Sequence, residues 1–220
     1  MNRRQLIAGC GMLALGARAP LAYACRLFPP DSTDRYRATQ DGRDAGFQSI
    51  SFYHREKELV VSTQRSFEYL NGAGKRIEYA HTAREIWLNG WLNRFESTTR
   101  HGEKQNRVFA ETVDHVTLLV RTTESQIPSL VTGYVVPGNL WHRDARLVSR
   151  LMDLADGRLK LVNVALAGKE IVSVGGGARA ASHYRIRGEM NLDAWYTDEC
   201  QLARVLLPFR NAAPVVFELS

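Results

Sequence analysis

Cysteine is scarce in this sequence, with only Cys10, Cys25 and Cys200 in 220 residues. The six histidines are scattered without the close spacing of metal ligands, so we predict no metal site and no cofactor. The apolar stretch near the N-terminus is well short of a bilayer span, and no stable transmembrane anchor is expected. No block of five or six like charges follows residue 24, which argues against a nucleic-acid partner.

Recognisable catalytic motifs are missing as well. Gly175-Gly176-Gly177 lacks the strand-to-helix context of a phosphate-binding loop. The serines stand in no nucleophile-elbow context. Asp198 and Glu199 precede Cys200, and their charges disfavour the thiolate that a nucleophile needs. The sequence therefore favours a protein that is not an enzyme.

Residues 1–24 have the three-part layout of a cleaved export signal. Arg3 and Arg4 precede a weakly apolar stretch, and small residues stand at the first and third places before Cys25. The paired arginines are similar to a twin-arginine signal, which the export machinery reads; an ordinary secretory signal is the alternative. We expect cleavage near Ala24, which leaves residues 25–220 as a single β-rich domain that is periplasmic or secreted.

Loss of this signal changes the charge and the cysteine content. The 29 basic residues become 26 against 23 acidic ones, so the formal net charge falls from +6 to +3. Cys25 and Cys200 remain, and in an oxidising compartment they could form a disulfide. Lipidation of Cys25 is an alternative, but the bulky Tyr23 fits poorly in a lipoprotein cleavage site.

The pattern of residues 25–220 is typical of an antiparallel β protein. Short runs of β-branched and aromatic residues alternate with turn residues about every ten positions. Asp41-Gly42 and Asn89-Gly90 are strong signals for two-residue hairpins. We predict a single curved antiparallel sheet, or an open half-barrel, of roughly ten to twelve strands with one short helix.

Two segments depart from the alternation. Asn139 could cap a helix whose inner face holds Leu140, Asp144, Leu147 and Leu151. Residues 147–153 also alternate as a strand, so we favour a short helix that ends at about Arg146, followed by a strand from Leu147 to Asp153. Residues 122–133 are polar and have neither period, so we predict an exposed loop there.

A strand period of two places four candidate residues on one face of one strand: Tyr79, His81, Glu85 and Trp87. Of these, His81 and Glu85 are about 13 Å apart along an extended strand, so they cannot bond directly. A hydrolase that uses this pair would need a third group from another strand within about 3 Å. Large aromatic residues could hold an acyl chain, or they could fill the core. The candidate ligand-binding residues are Tyr79, His81, Glu85, Trp87, Trp141, Trp195 and Tyr196.

Several short motifs follow one another in order: residues 40–46 (Gln-Asp-Gly-Arg-Asp-Ala-Gly), 79–81 (Tyr-Ala-His), 85–90 (Glu-Ile-Trp-Leu-Asn-Gly), 97–99 (Ser-Thr-Thr), 140–142 (Leu-Trp-His), 156–159 (Asp-Gly-Arg-Leu) and 192–196 (Leu-Asp-Ala-Trp-Tyr). With them the chain resembles a family of exported bacterial single-domain proteins of unknown function. The family pattern continues Trp-Tyr with Asp, whereas Thr197 stands here before Asp198.

The resemblance implies an exported β domain, similar in outline to lipoprotein carriers, whose long antiparallel sheet curves around a hydrophobic cavity. It also implies that the seven candidate residues form either a shared site or a shared core. We therefore expect non-catalytic binding of a lipid or another apolar or amphipathic small molecule, or of an envelope partner. The alternatives are a hydrolase that uses His81 and Glu85, and a structural or assembly module of the cell envelope.

Overall fold

The computed structural model describes residues 28–114, 116–125 and 127–220. This part of the chain forms fourteen β-strands and one turn of 3-10 helix, Arg143–Arg146. The strands are β1 (Ser32–Gln40), β2 (Arg43–Arg55), β3 (Glu58–Leu70), β4 (Arg76–Leu88), β5 (Trp91–His101), β6 (Lys104–Asp114), β7 (Thr117–Thr122), β8 (Ser129–Thr132), β9 (Arg150–Met152), β10 (Leu159–Val174), β11 (Gly177–Gly188), β12 (Leu192–Thr197), β13 (Leu202–Phe209) and β14 (Ala212–Leu219). Within these residues, no helix has the length and apolar character needed to cross a membrane.

All fourteen strands lie in one antiparallel sheet that is not closed. Strands β1 to β8 follow one another from the middle of the sheet to one edge. The chain then crosses to the opposite edge, and β9 to β14 return to the middle, where β14 pairs with β1. The prediction of a mainly β protein with one antiparallel sheet is confirmed, but the predicted number of strands was too low.

Both predicted two-residue hairpins are present. Asp41 and Gly42 have φ angles of 50° and 73°, and Asn89 and Gly90 have φ angles of 51° and 86°. Positive φ at both central residues is the geometry that joins twisted antiparallel strands most tightly, and Asn, Asp and Gly tolerate it best. These turns set the register of β1 with β2 and of β4 with β5.

The strands separate an inner face, where side chains are buried, from an outer face, where most are exposed. Strand β3 shows the alternation most clearly, with buried side chains at every second position from Val61 to Tyr69. The largest fully buried side chains are Trp87, Tyr36, Tyr196, Phe95 and Phe217. Burial of such aromatic area on one face stabilises the sheet.

Residues 133–158, which we call the crossover segment, run from the end of β8 to the start of β10, include β9, and pack against the inner face. The Met152 amide donates to the Val136 carbonyl at 2.9 Å, which links two parts of the segment. The Ser97 hydroxyl donates to the Leu154 carbonyl at 2.7 Å, and the Asn106 amide donates to the Ala155 carbonyl at 2.6 Å. The segment thus covers the inner face of β5 and β6.

The structure corrects three predictions around this segment. The helix expected from Asn139 is only the 3-10 turn, and His142 caps it by accepting from the Asp144 amide. Leu147, which the longer helix would have placed on its inner face, is 74% exposed. The following strand begins at Arg150, because the amides of Leu147 and Val148 bond to the Asp144 carbonyl.

Within the predicted loop 122–133, residues 129–132 form the edge strand β8, which is too short to show a period.

Candidate functional site

Strand β4 presents Tyr79, His81, Glu85 and Trp87 to the inner face, and its hairpin partners hold it between β3 and β5. His81, Glu85 and Trp87 are fully buried, whereas Tyr79 is half-buried and stacks on Phe67 with ring centroids 4.8 Å apart. The strand therefore carries two buried polar groups that need partners from other elements.

Glu85 is the polar centre where the crossover segment meets the sheet. Its carboxylate accepts hydrogen bonds from the indole N–H of Trp87 at 2.7 Å, from the indole N–H of Trp141 at 3.0 Å and from the side-chain amide of Asn139. Burial raises the pKa of this carboxyl to about 7, and the three donors oppose the rise. Since Asn139 and Trp141 belong to the crossover segment, Glu85 fastens that segment to β4.

The rings around Glu85 are closely packed. Trp141 meets Phe52 and Trp87 edge to face, with ring centroids 5.3 Å and 5.4 Å apart. His142 stacks on Trp87 at 4.7 Å. Burial lowers the pKa of His142 to about 4, so its ring is neutral near pH 7.

A second group of polar residues lies on the inner face, further along the strands from Glu85. Successive strands place five buried polar residues directly opposite one another, in what we call the polar row: Gln48, Arg65, His81, Thr99 and Asn106. The Arg65 Nε donates to Gln48 Oε1 at 2.6 Å, and His81 Nδ1 bonds to the Thr99 hydroxyl at 2.8 Å. Gln48 Nε2 and His81 Nε2 are buried and have no hydrogen-bond partner among the described residues.

Arg65 is the only charged member of the polar row, and it is 7% exposed. Its guanidinium lies over the Phe217 ring at 5.1 Å. In the described part of the chain, no carboxylate lies within ion-pair distance of it. Burial lowers the pKa of Arg65, and burial together with the Arg65 charge lowers the pKa of His81 to about 3.

The remaining predicted residues lie on both faces of β12. Tyr196 is on the inner face, and its hydroxyl donates to the Leu140 carbonyl of the crossover segment at 2.8 Å. Trp195 is on the outer face, where it stacks on His183 at 4.2 Å and donates to Glu170 at 3.0 Å. The structure thus brings Glu85, Trp87 and Trp141 together, places Tyr196 nearby across the crossover segment, and sets Trp195 apart.

Sequence reasoning missed Arg65, Gln48 and Asn139. A signal for Arg65 was present, because it follows Val61 and Thr63 at the strand period and so falls on the buried face. A charged residue at such a position is unusual and needs a partner. Gln48 and Asn139 gave no comparable signal, since their partners are distant in sequence.

Cys200 has a φ of 65° in the turn between β12 and β13, and it is disulfide-bonded. Arg146 donates to its sulfur at 2.8 Å. The expected partner, Cys25, lies outside the described residues, as does the whole expected export signal. The pairing with Cys25 therefore stays a prediction.

Some of the open grooves in the described part of the chain lie away from the predicted residues. Four surface grooves have volumes between about 340 and 550 Å³, and none of the four is lined by any of the seven candidates. Among the described residues, no three or more His, Cys, Asp or Glu side chains are grouped so that they could hold a metal ion. The inner face carries two buried polar clusters, one around Glu85 and one along the polar row.

A family model described as "Domain of unknown function (DUF6134)" matches residues 36–220. Among solved structures, the chain is similar to the crystal structure of a beta-barrel-like protein of the domain of unknown function DUF1849 from Brucella abortus. That similarity has a TM-score of 0.61 at 10% identity, and it covers 90% of this chain and 98% of the other. No protein with a curated description matches the sequence.

Proposed function

The chain belongs to the DUF6134 family, a domain of unknown function, and we propose that it is a non-catalytic, exported binding protein that holds an amphipathic ligand on the inner face of its sheet. The family assignment confirms the resemblance to single-domain β-rich proteins of unknown function. The likeness to the Brucella protein is a likeness of fold alone.

The polar row carries the proposal. A sheet whose inner face served only as a core would bury apolar side chains there, because each buried polar atom without a partner costs about 1–3 kcal/mol. Five polar residues nevertheless stand side by side on β2 to β6, and two of their nitrogen atoms have no partner among the described residues. A ligand with a polar end would satisfy these atoms.

The neighbouring rings supply the apolar part of such a site. Phe67 and Tyr79 are opposite each other on β3 and β4, two positions from Arg65 and His81 and on the same face of the sheet. Tyr69 stacks on Phe209 at 4.0 Å, and Phe209 is only half-buried. The aromatic residues therefore extend from the polar row to the surface, which suits a ligand with a polar head and an apolar body.

The hydrolase alternative has less support from the contacts. Glu85 is bonded to two indoles and an amide, and His81 is bonded to Thr99. No hydrogen bond joins the two residues, and the three donors hold Glu85 against the crossover segment. Among the described residues, no specific contact favours the third possibility, an assembly module.

Export to the periplasm is part of the proposal. Its support is the signal-like layout of residues 1–24 and the disulfide at Cys200, since disulfides persist in oxidising compartments. N-terminal sequencing of the protein recovered from the periplasm should give Cys25 as the first residue. Recovery of the uncleaved chain in the cytoplasm would contradict export.

Mass spectrometry tests ligand binding. The protein is purified from the periplasm without detergent and measured under native and then denaturing conditions, with extraction of the released small molecules. We expect an added mass that disappears on denaturation and an amphipathic compound in the extract. A native mass equal to the denatured mass, at full recovery of folded protein, would contradict the proposal.

A further inference from the structure

Arg65 combines three properties that rarely occur together. It is almost fully buried, its only side-chain hydrogen bond among the described residues goes to the neutral Gln48, and no carboxylate pairs with it there. Glu85, the fully buried carboxylate of this face, is four residues beyond its cross-strand partner His81, about 13 Å along the strand. A buried charge without a counter-charge costs several kcal/mol, so this arrangement needs an explanation.

The unpartnered side-chain atoms next to Arg65 are hydrogen-bond donors rather than acceptors. Gln48 already accepts from the guanidinium with its oxygen, which leaves the Nε2 amide free to donate. His81 Nδ1 is bonded to the Thr99 hydroxyl, and with Nδ1 as the acceptor the free Nε2 carries the ring proton. Both residues are directly opposite Arg65 on neighbouring strands, where side chains on one face meet.

We propose that Arg65, Gln48 and His81 form a binding site for the carboxylate head of a monocarboxylic acid with an apolar tail. The planar guanidinium fork matches the two oxygens of a carboxylate, and the amide and imidazole N–H groups donate to their remaining lone pairs. The inference rests on the proposed function and specifies its ligand.

The charge of the site selects a carboxylate over a phosphate. Arg65 supplies one positive charge, and His81 is neutral near pH 7 because its pKa lies at about 3. A single cation balances one negative charge, whereas a phosphate monoester carries up to two at this pH and would leave one unpaired in a buried place. The rings of Phe67, Tyr79 and Phe217 nearby suit an apolar tail.

Two probes of equal tail length test the site. Dodecanoate and dodecanol are titrated into delipidated protein by isothermal calorimetry at pH 7.5. We expect dodecanoate to bind at least tenfold more tightly than dodecanol. Equal binding of the two would overturn the carboxylate site while leaving the proposed function intact, and absence of binding by either would overturn both.

Variants assign the selectivity to Arg65. In Arg65→Met, dodecanoate should bind only as tightly as dodecanol, with the affinity for dodecanol unchanged, whereas Arg65→Lys should keep part of the preference. The matched control is Arg84→Met, which removes an exposed arginine of β4 and should change neither affinity. Unchanged selectivity in Arg65→Met would refute the assignment.

The stability of the unliganded variants gives a second readout. If Arg65 serves a ligand, its replacement by methionine removes an uncompensated buried charge, and the urea midpoint of the delipidated protein should stay equal or rise. If Arg65 serves only the fold, the midpoint should fall. A fall, together with equal binding of acid and alcohol by the wild type, would leave the site without support.

Discussion

The buried carboxyl of Glu85 makes the stability of the fold depend on pH in a defined way. Its pKa is about 7 in the folded protein against an ordinary value of 4.5. Between these values the folded state binds the proton more tightly than the unfolded chain, so stability falls as the pH rises through this window. The contribution is about 2–3 kcal/mol at pH 5 and close to zero at pH 8.

The two buried histidines act in the opposite direction. Burial lowers the pKa of His81 to about 3 and that of His142 to about 4. Each therefore contributes stability that is present above about pH 6.5 and is lost as the pH falls. The wild-type profile alone mixes the three groups, and only a difference between two proteins isolates Glu85.

The test compares the wild type with Glu85→Gln, which keeps the size and an acceptor oxygen but cannot titrate. Urea unfolding of both proteins from pH 5 to pH 8 gives the difference in the free energy of unfolding. We expect the wild type to lose about 2–3 kcal/mol relative to the variant across this range. Glu124→Gln, at an exposed loop position, is the control and should give a flat difference. A difference that does not change with pH for Glu85→Gln as well would refute the conclusion that the Glu85 carboxyl is buried and has a raised pKa.

Three further substitutions test the packing of the crossover segment. Trp141→Phe keeps a ring but removes the N–H that donates to Glu85, so urea unfolding should show a loss of about 1–3 kcal/mol; an unchanged midpoint would contradict the bond. Gly157→Ala places a Cβ 2.8 Å from a methyl carbon of Val108, at a residue with a φ of 70°. The melting temperature should therefore fall by several degrees. An unchanged melting temperature would contradict the packing of the segment against Val108. Leu147→Ser, at a 74% exposed position, should change the free energy of unfolding by less than about 0.5 kcal/mol. A larger loss would contradict the exposed position of Leu147.

Local patterns were enough to predict much of the sheet. The hairpins at Asp41-Gly42 and Asn89-Gly90 follow from the φ preferences of their own residues. The inward side of β4 follows from a strand period of two. Such features depend on residues that are close in sequence, so the sequence alone contains the information.

The crossover segment could not be predicted in the same way. Asn139 has the residue type of a helix cap, but its amide bonds to Glu85, 54 residues away. The burial of Trp141 likewise depends on Phe52 and Trp87 from other strands. Tertiary contacts of this kind override local preference, and they also decide which candidate residues meet.

The position of a bound ligand tests the central claim most directly. Amide and side-chain NMR shifts of isotope-labelled, delipidated protein are recorded during titration with dodecanoate. We predict that the largest changes fall on the polar row, at Gln48, Arg65 and His81, and on the neighbouring Phe67 and Tyr79. Saturable changes confined to exposed residues of the outer face, or no changes at all, would contradict binding on the inner face of the sheet.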